Sequence, residues 1–212
     1  VVTNLGAAFG VDLGPVAGPE IGVILVLVVG ALCGALNGAI VIFGRLQPIV
    51  TTIATSAVFF GIALFMRPQP GATAEFAKGL GKFMLSKFWG VVPASMVFLL
   101  LVVLLVWLPF RASVLGRSTY AVGSSEAASY MSGVPVKRAK FFAYVLSGLF
   151  SGLGGLYLTF VTSSGQADQA AAGGYTLNSI AAVVLGGVSL LGGIGTAVGA
   201  LIGALILRAI SF

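Results

Sequence analysis

The chain has 212 residues, of which 58% are hydrophobic and only 8% are charged. Soluble domains carry about 25% charged residues, so this composition excludes a soluble globular protein. There is no histidine and only one cysteine, Cys33, which excludes a disulfide within the chain and a Cys/His metal site. We therefore predict an all-α integral membrane protein with no metal or other cofactor, and its formal charge of +6 lies in loops, a pattern typical of membrane orientation rather than nucleic-acid binding.

The first half of the chain contains two predicted spans. Residues 1–20 read as a loop that is not a signal peptide. Residues 21–43 are long enough to cross about 30 Å of hydrocarbon, and Pro48–Met66 forms a second span with proline in its first turn. Small residues recur every fourth position in the first span, where they allow another helix to approach closely. They are Gly30, Gly34 and Gly38.

Polar side chains in these spans have two interpretations. Asn37 lies beside the glycine face, and an interhelical hydrogen bond is favoured there over a ligand contact. Thr51 and Thr55 either bond back to their own backbone, which is the commoner case, or line a polar path.

A connection at residues 67–90 precedes the third span, at residues 91–110. The connection has the pattern of an amphipathic helix in the membrane interface, anchored by Trp89. A fourth span follows at residues 141–161. It carries two series of small residues at helical spacing, each suited to close packing. They are Ser147, Ser151 and Gly155, and Gly148 and Gly152.

The stretch between the third and fourth spans, residues 111–140, holds five of the eleven Lys and Arg residues. Residues 124–131 within it predict a short helix bounded by Gly123 and by the pair Gly133 and Pro135. A polar helix with basic flanks suggests a cytoplasmic docking element. The alternative is an ordinary basic loop that obeys the positive-inside rule.

The C-terminal part contains a doubtful segment and a final helix. After a polar linker at 162–174, residues 175–191 are barely long enough to cross and are interrupted by Gly186 and Gly187. The polar start of this segment predicts free N–H donors facing a cavity, as in transporters with discontinuous helices; the alternative is a tilted span with both glycines packed on neighbours. The last helix occupies 195–210. The chain thus reads as a polytopic bundle of about five to six transmembrane or half-membrane segments in a single domain, residues 1–212.

Catalytic motifs do not emerge from the sequence. The pair Gly81–Lys82 lacks the first glycine and the Ser or Thr of a phosphate-binding loop. With no histidine and five scattered acids, no general acid–base pair is evident, and we predict that the chain is not an enzyme.

Three blocks of sequence resemble the ribose-type permeases of ABC importers. The first is Leu115–Ala128 followed by Ser132-Gly133-Val134, similar to the G-R-x-x-Y-A-x-G, E-A-A and S-G-I/V pattern of that family's cytoplasmic loop. The second, residues 174–190, is similar to G-Y-E-L-x-x-I-A-A-V-V-x-G-G-x-S-L, with Thr176 in place of the usual acid. The third is Leu36-Asn37-Gly38 followed by residues 48–52.

The resemblance implies a permease subunit that translocates a monosaccharide, similar to ribose, xylose or galactose, across the inner membrane of a bacterium. Implied partners are a cytoplasmic ABC ATPase, a second permease subunit in a homo- or heterodimer, an external solute-binding protein and the lipid bilayer. The alternatives are a permease for branched-chain amino acids or nucleosides, and a membrane scaffold fragment that transports nothing. Family members usually have further helices at both ends, so we expect the chain to be truncated.

The resemblance also implies two groups of functional residues. Residues 111–140 correspond to the cytoplasmic coupling loop, and the six residues expected to couple to the ATPase are Gly123, Ser125, Glu126, Ala127, Ala128 and Gly133. The residues expected along the substrate path are Asn37, Thr51, Thr55, Asn178, Ser179, Gly186 and Gly187. The orientation rests mainly on the resemblance, because charge counting favours it only weakly.

Overall fold

A computed structural model describes residues 19–66, 71–72, 81–82, 85–88, 92–162, 164–165, 169–189, 192 and 195–210. The predicted N-terminal loop lies outside these residues except at its end, where Pro19 and Glu20 are already helical. Most of the predicted interfacial helix at 67–90 also lies outside them.

Helices account for nearly all of the regular structure in the described residues. They are α1 (Pro19–Gly44), α2 (Pro48–Met66), α3 (Ala94–Val102), α4 (Leu108–Ala112), α5 (Val114–Ser124), α6 (Glu126–Met131), α7 (Val136–Thr162), α8 (Gln169–Leu185) and α9 (Ala197–Ile210). A π-helical segment, Val103–Trp107, joins α3 to α4. Four stretches of the described residues are long and apolar enough to cross a membrane: Gly22–Gly44, Pro48–Met66, Ala94–Ala112 and Val136–Thr162. The predicted all-α membrane fold is confirmed.

Two helix boundaries differ from the sequence prediction. Helix α7 begins at Val136, five residues before the predicted fourth span, because Pro135 is well suited to start a helix and no breaker follows it. Helix α8 begins at Gln169 rather than 175, so the predicted linker is partly helical. Alanine at 170–172 favours this extension, since alanine has the highest helix propensity.

The π-helical segment lies just before a proline inside the third span. The backbone N–H of Leu108 donates to the carbonyl of Val103, five residues earlier. Pro109 has no N–H to donate and its ring crowds the preceding turn, so a widened turn at this place relieves the clash. The span therefore continues through the proline instead of ending there.

The chain divides into two compact units. One comprises Val1–Ala112 and Lys140–Ala167, and the other comprises Ser113–Ala139 and Asp168–Phe212. In the first unit, α1 packs on α7 through glycines. A Cβ atom placed on Gly148 would lie 2.8 Å from the Cα atom of Gly34, and one on Gly30 would lie 2.7 Å from the carbonyl oxygen of Gly148. Side chains are excluded from this crossing, so the two backbones touch.

The small-residue series that α7 uses for this crossing is the one at Gly148 and Gly152. A Cβ atom on Gly155, from the other predicted series, would meet nothing within 4 Å, and Ser151 donates its hydroxyl to the carbonyl of Ser147. On the same helix, Tyr157 stacks against Phe98 of α3 with ring centroids 6.4 Å apart. Helix α7 thus contacts the first span through glycine and the third span through aromatic rings.

Short strand pairs connect helix ends within this unit. Strand β1 (Gly71–Ala72), which follows α2, pairs antiparallel with β4 (Ser164–Gly165), which follows α7. Strands β2 (Lys87–Phe88) and β3 (Val92–Pro93) form a second antiparallel pair before α3. The β1–β4 pair means that the C-terminal ends of α2 and α7 face the same side.

The second unit contains a hairpin of α8 and α9 built on the same principle. A Cβ atom on Gly203 would lie 2.6 Å from the backbone nitrogen of Gly186, and one on Gly186 would lie 2.8 Å from the nitrogen of Ala200. With 17 and 14 residues, these helices are about 25 and 21 Å long, shorter than the hydrocarbon core.

The glycine crossing in the first unit gives a direct test. Replacing Gly148 with Leu should lower the free energy of unfolding by about 1–3 kcal/mol, because the new side chain meets backbone atoms that cannot move aside. The measurement is the thermal unfolding midpoint of the full-length protein in detergent. Gly155→Leu on the same helix is the matched control, since the space there is open. Equal losses in both variants would contradict the packing account.

Candidate functional site

The stretch at 111–140 folds into two consecutive helices, α5 and α6, that lead into α7. Ser113 caps α5, its side chain accepting a hydrogen bond of 3.1 Å from the backbone N–H of Gly116. Ser125 caps α6 in the same way, accepting from the N–H of Ala128 at 3.3 Å. Ser125 stands in extended backbone, which separates the two helices. The neighbouring Ser124 is the last residue of α5.

Gly123 does not bound the short helix as predicted. It lies inside α5, one residue before the end, and the break falls at Ser125. The physical reason is that the serine side chain supplies an N-cap for the next helix, so no glycine turn is needed there.

Gly133 does bound α6, through a well-defined C-terminal motif. Its φ angle is +76°, its N–H donates to the carbonyl of Tyr130 at 3.0 Å, and the N–H of Val134 donates to Ser129 at 3.0 Å. This pair of bonds is the Schellman pattern, which satisfies helix carbonyls that would otherwise lack a donor. Glycine is favoured at its left-handed position because it has no Cβ atom.

Beneath α6, a small apolar cluster holds the helix in place. Val122, Val136 and Ala139 are buried together, with Val134 packed against them. Ser129 faces inward and is only 5% exposed. The remaining side chains of α6 are exposed: Glu126, Ala127, Ala128, Tyr130 and Met131. We call this set the α6 outer face.

The α6 outer face has small side chains in its first part and large apolar side chains at its C-terminal end. Tyr130 is 75% exposed and Met131 is 86% exposed, whereas Ala127 and Ala128 present only methyl groups. Glu126 lies in the first turn, where a carboxylate is favoured by the positive end of the helix dipole. Exposed cationic side chains flank the helix at Arg117, Lys137 and Arg138. The arrangement suits a protruding knob with a basic rim.

Among the proposed path residues in the first unit, Asn37 and Thr55 bond to each other. The hydroxyl of Thr55 donates to the Oδ1 atom of Asn37 at 2.5 Å, linking α2 to α1. Thr51 is buried, and its hydroxyl donates to the carbonyl of Gln47 at 3.0 Å. The structure thus has the interhelical bond that the sequence favoured for Asn37, together with a backbone bond for Thr51.

Asn178 and Ser179 lie in the middle of α8, not at its start. The predicted free N–H donors are therefore wrong at these positions, because α8 begins at Gln169 and interior N–H groups bond along the helix. Both side chains are exposed. The hydroxyl of Ser179 donates to the carbonyl of Thr176 at 2.8 Å, whereas Asn178 makes no side-chain hydrogen bond to another described residue.

The glycine pair after α8 ends the helix and does not interrupt a longer one. Gly187 has a φ angle of +76°; its N–H donates to Val184 at 2.9 Å, and the N–H of Val188 donates to Val183 at 3.1 Å. This repeats the motif at Gly133. Gly186, the residue before it, packs against α9.

A cleft that sequence reasoning missed lies between α5 and the α8–α9 hairpin, within the second unit. Its volume is about 360 Å³. The lining is uncharged and consists of small, hydroxyl-bearing and aliphatic residues with one tyrosine: Thr119, Tyr120, Gly123, Val183, Val188, Ser189, Gly192, Gly195, Thr196, Ala197 and Ala200. Two glycines of the lining, Gly192 and Gly195, have positive φ angles. The spacing of glycines in the sequence does not reveal that these distant segments meet.

Comparison with known proteins identifies the family. The profile described as "Branched-chain amino acid transport system / permease component" matches residues 2–211. The chain belongs to this permease family.

Permeases of named import systems are among its relatives. The chain is 36% identical over 185 residues to the ribose import permease protein of Haemophilus influenzae, with 86% of this chain and 57% of that protein covered. It is 38% identical over 174 residues to the ribose import permease protein of Bacillus subtilis, covering 81% and 52%. The autoinducer 2 import system permease protein of Salmonella paratyphi B is 30% identical over 191 residues, covering 87% and 56%.

The chain therefore spans about half the length of these relatives. No solved structure matches it significantly. The resemblance to ribose-type permeases drawn from the three sequence blocks is confirmed.

The cap at Gly133 generates a local stability prediction. Gly133→Ala should destabilise the end of α6 by about 1–2 kcal/mol, because a Cβ atom is disfavoured in left-handed backbone even where space is open. Gly133→Asn should cost less, since asparagine tolerates this conformation better. Amide hydrogen exchange across residues 126–134 of the permease measures the opening of this segment.

Gly154→Ala is the control for that substitution. Gly154 also has open space but lies in the middle of α7, so alanine should leave exchange at 126–134 unchanged. Unaltered exchange in Gly133→Ala would show that the left-handed cap does not hold the helix end.

Proposed function

We propose that the chain is the membrane-spanning part of a permease subunit in an ATP-driven, binding-protein-dependent importer. Its substrate is a monosaccharide, carried across the cytoplasmic membrane of a bacterium. The observation that carries the proposal is the match over 81–86% of the chain to permeases named for ribose import. The chain is a transport component, and ATP hydrolysis belongs to a separate cytoplasmic ATPase subunit.

The structure supports this proposal through its division of surfaces. Four apolar spans supply the membrane body, and α5 and α6 supply a polar segment between two of them. A second permease subunit, forming a homo- or heterodimer, completes the pathway, and an external solute-binding protein delivers the sugar. Residues 111–140 face the cytoplasm in this arrangement.

The substrate path takes its strongest candidates from α8. Asn178 and Ser179 are exposed on a helix too short to cross the hydrocarbon core comfortably. Polar side chains at membrane depth are costly unless they meet a partner or a water-filled cavity, and they often mark a pathway. The other residues proposed for the path contribute indirectly, by holding their helices in position. They are Asn37, Thr51, Thr55, Gly186 and Gly187.

Branched-chain amino acid transport is the second candidate. The family description favours it, because that description names branched-chain amino acids. The relatives named for ribose favour the sugar.

Uptake by the full-length permease, reconstituted with its ATPase and binding protein, distinguishes these substrates. We expect ATP-dependent accumulation of labelled ribose or a related monosaccharide, and none of leucine or nucleosides. Asn178→Leu should reduce that uptake about tenfold, the size of effect of losing one polar contact to a sugar hydroxyl. Accumulation of leucine instead would replace the sugar proposal with the amino acid one.

Leu177→Asn is the matched control for the path. It places the same polar group on the neighbouring residue of α8, which is 70% exposed. Full uptake by Asn178→Leu, with sugar specificity retained, would remove Asn178 from the path.

We further propose that the α6 outer face fits into a groove on the ATPase. A helix of six residues, about 9 Å long, makes a compact knob. Ala127 and Ala128 allow close approach, while Tyr130 and Met131 offer the exposed apolar area that interface centres commonly use. Gly123 and Gly133 act behind this surface, and Ser125 fixes the start of the helix. The basic rim orients the partner.

Replacing both Ala127 and Ala128 with Trp should reduce the ATPase recovered with the permease about tenfold or more. Overpacking a complementary surface costs about 1–3 kcal/mol, and about 1.4 kcal/mol corresponds to tenfold in affinity. The measurement is co-purification of the ATPase from membranes. Val114→Trp, at a position 72% exposed on the first turn of α5, is the control that should retain the ATPase. Normal association with coupled hydrolysis in the double variant would place the docking site elsewhere.

A further inference from the structure

The third span ends in a tryptophan and an arginine that have no part in the docking surface or the substrate path. The side chain of Arg111 lies over the indole ring of Trp107, with the guanidinium carbon 5.3 Å from the ring centroid. The two residues are four positions apart, so they lie on the same face of the helix. A cation is attracted to the face of an indole ring by the charge distribution of its π system. The pair therefore forms a defined unit at the end of the span.

The hydrogen-bond donors of the Arg111 side chain have no partner in the part of the chain that the structure describes. Arg111 is exposed, and the contact that its guanidinium group makes there is with the ring of Trp107. A guanidinium group has five N–H donors in a planar fork and keeps its charge in a protein. This group is therefore available to an anion that offers two oxygen atoms, such as a carboxylate or a phosphate.

The depth of the pair in the membrane favours phosphate. The span Ala94–Ala112 has 19 residues and is therefore about 28 Å long, which matches a hydrocarbon core of about 30 Å. Its last residues, Arg111 among them, then lie at the level of the lipid phosphate groups. Trp107 lies four residues, or about 6 Å, deeper, at the level of the glycerol esters, where indole rings are commonly found.

The residues before this pair supply a surface for acyl chains. Leu104, Leu105 and Leu108 are all exposed in the span. Along the helix axis, the exposed surface therefore changes from leucine to indole to guanidinium. A phospholipid changes in the same order, from acyl chain to glycerol ester to phosphate. This correspondence favours a lipid over a soluble anion, which would need only the last of the three groups.

The π-helical segment Val103–Trp107 determines which face of the span carries this surface. A π-helical turn contains about one residue more than an α-helical turn, and one residue corresponds to about a quarter of a turn of rotation. The residues after the segment, including Arg111, are rotated by this amount relative to α3. Short π-helical segments often occur at functional sites, which agrees with a binding role here.

We propose that Trp107 and Arg111 form a binding site for one anionic phospholipid. The guanidinium group donates to the phosphate oxygens, the indole ring lies beside the glycerol esters, and an acyl chain runs along Leu104 and Leu108. A zwitterionic phospholipid binds more weakly, because its own ammonium group competes with Arg111 for the phosphate. The site requires only that the chain spans a membrane, so it depends neither on the transported substrate nor on ATPase docking.

Fluorescence quenching at Trp107 tests the site. Full-length permease, with Trp89 and every other tryptophan replaced by Phe, is placed in vesicles of phosphatidylcholine and phosphatidylglycerol. Either lipid in turn carries bromine near the glycerol end of its acyl chains, where it quenches an indole that it touches. The comparison gives the relative binding constant of the anionic lipid at Trp107. We expect this constant to favour phosphatidylglycerol about fivefold, the preference that one basic residue near a membrane surface provides.

Arg111→Gln should abolish this preference, because the amide has no charge to attract the anionic lipid. Arg45→Gln is the matched control. Arg45 is an exposed arginine directly after the first span, which runs in the same direction as the third, and it has no contact with an aromatic ring among the described residues. Its replacement removes the same charge from the same side of the membrane and should leave the preference at Trp107 unchanged.

Three results would overturn the proposal. The first is equal affinity for the two lipids in the permease with Arg111 intact, which needs no variant to fold. The second is an equal loss of preference in Arg45→Gln and Arg111→Gln, since the effect would then come from the overall charge of this side of the protein. The third is relief of the quenching by excess inorganic phosphate, which would indicate a site for a soluble anion and not for a lipid.

Discussion

Contact between helix backbones is the constraint on which this structure depends most. Lipid tails are as apolar as leucine side chains, so burial of apolar surface does not draw helices together in a membrane as it does in water. Close packing must supply the attraction instead, and it is strongest where no side chain intervenes. Gly34 against Gly148 in one unit and Gly186 against Gly203 in the other meet this requirement. Each crossing yields a closely packed helix pair: α1 with α7, and α8 with α9.

The shorter helices α6 and α8 have defined C-terminal ends, where a residue in left-handed backbone satisfies the last carbonyl groups. Gly133 and Gly187 provide the same left-handed cap with the same φ angle. The first ends α6 and presents its outer face; the second ends α8 and opens the connection that meets Gly123. A glycine in left-handed backbone is thus the stop at both places, and the pair Gly186 and Gly187 ends a helix without breaking a span.

Features that depend on a short stretch of sequence, such as spans and helix ends, are the ones that the sequence predicts. Hydropathy predicts the four spans, and the preference of proline for the first turn of a helix predicts the start of α2 at Pro48. Hydropathy places the starts of α7 and α8 too late, since good helix formers without a breaker extend a helix beyond its apolar part. On α7, the two small-residue series have the same spacing, and only the facing helix decides that Gly148 is used and Gly155 is not. The meeting of Gly123 and Gly192 joins residues 69 positions apart, a contact that no local signal encodes.

Two asparagines in the helices have different surroundings: one takes part in helix packing, and the other is proposed for the substrate path. An amide at membrane depth is costly unless its donors and acceptors find partners. The side-chain oxygen of Asn37 accepts a hydrogen bond from Thr55, and this bond ties α1 to α2. Asn178 has no such partner among the described residues and is exposed on α8. We propose a sugar hydroxyl, which both donates and accepts, as the partner of this amide.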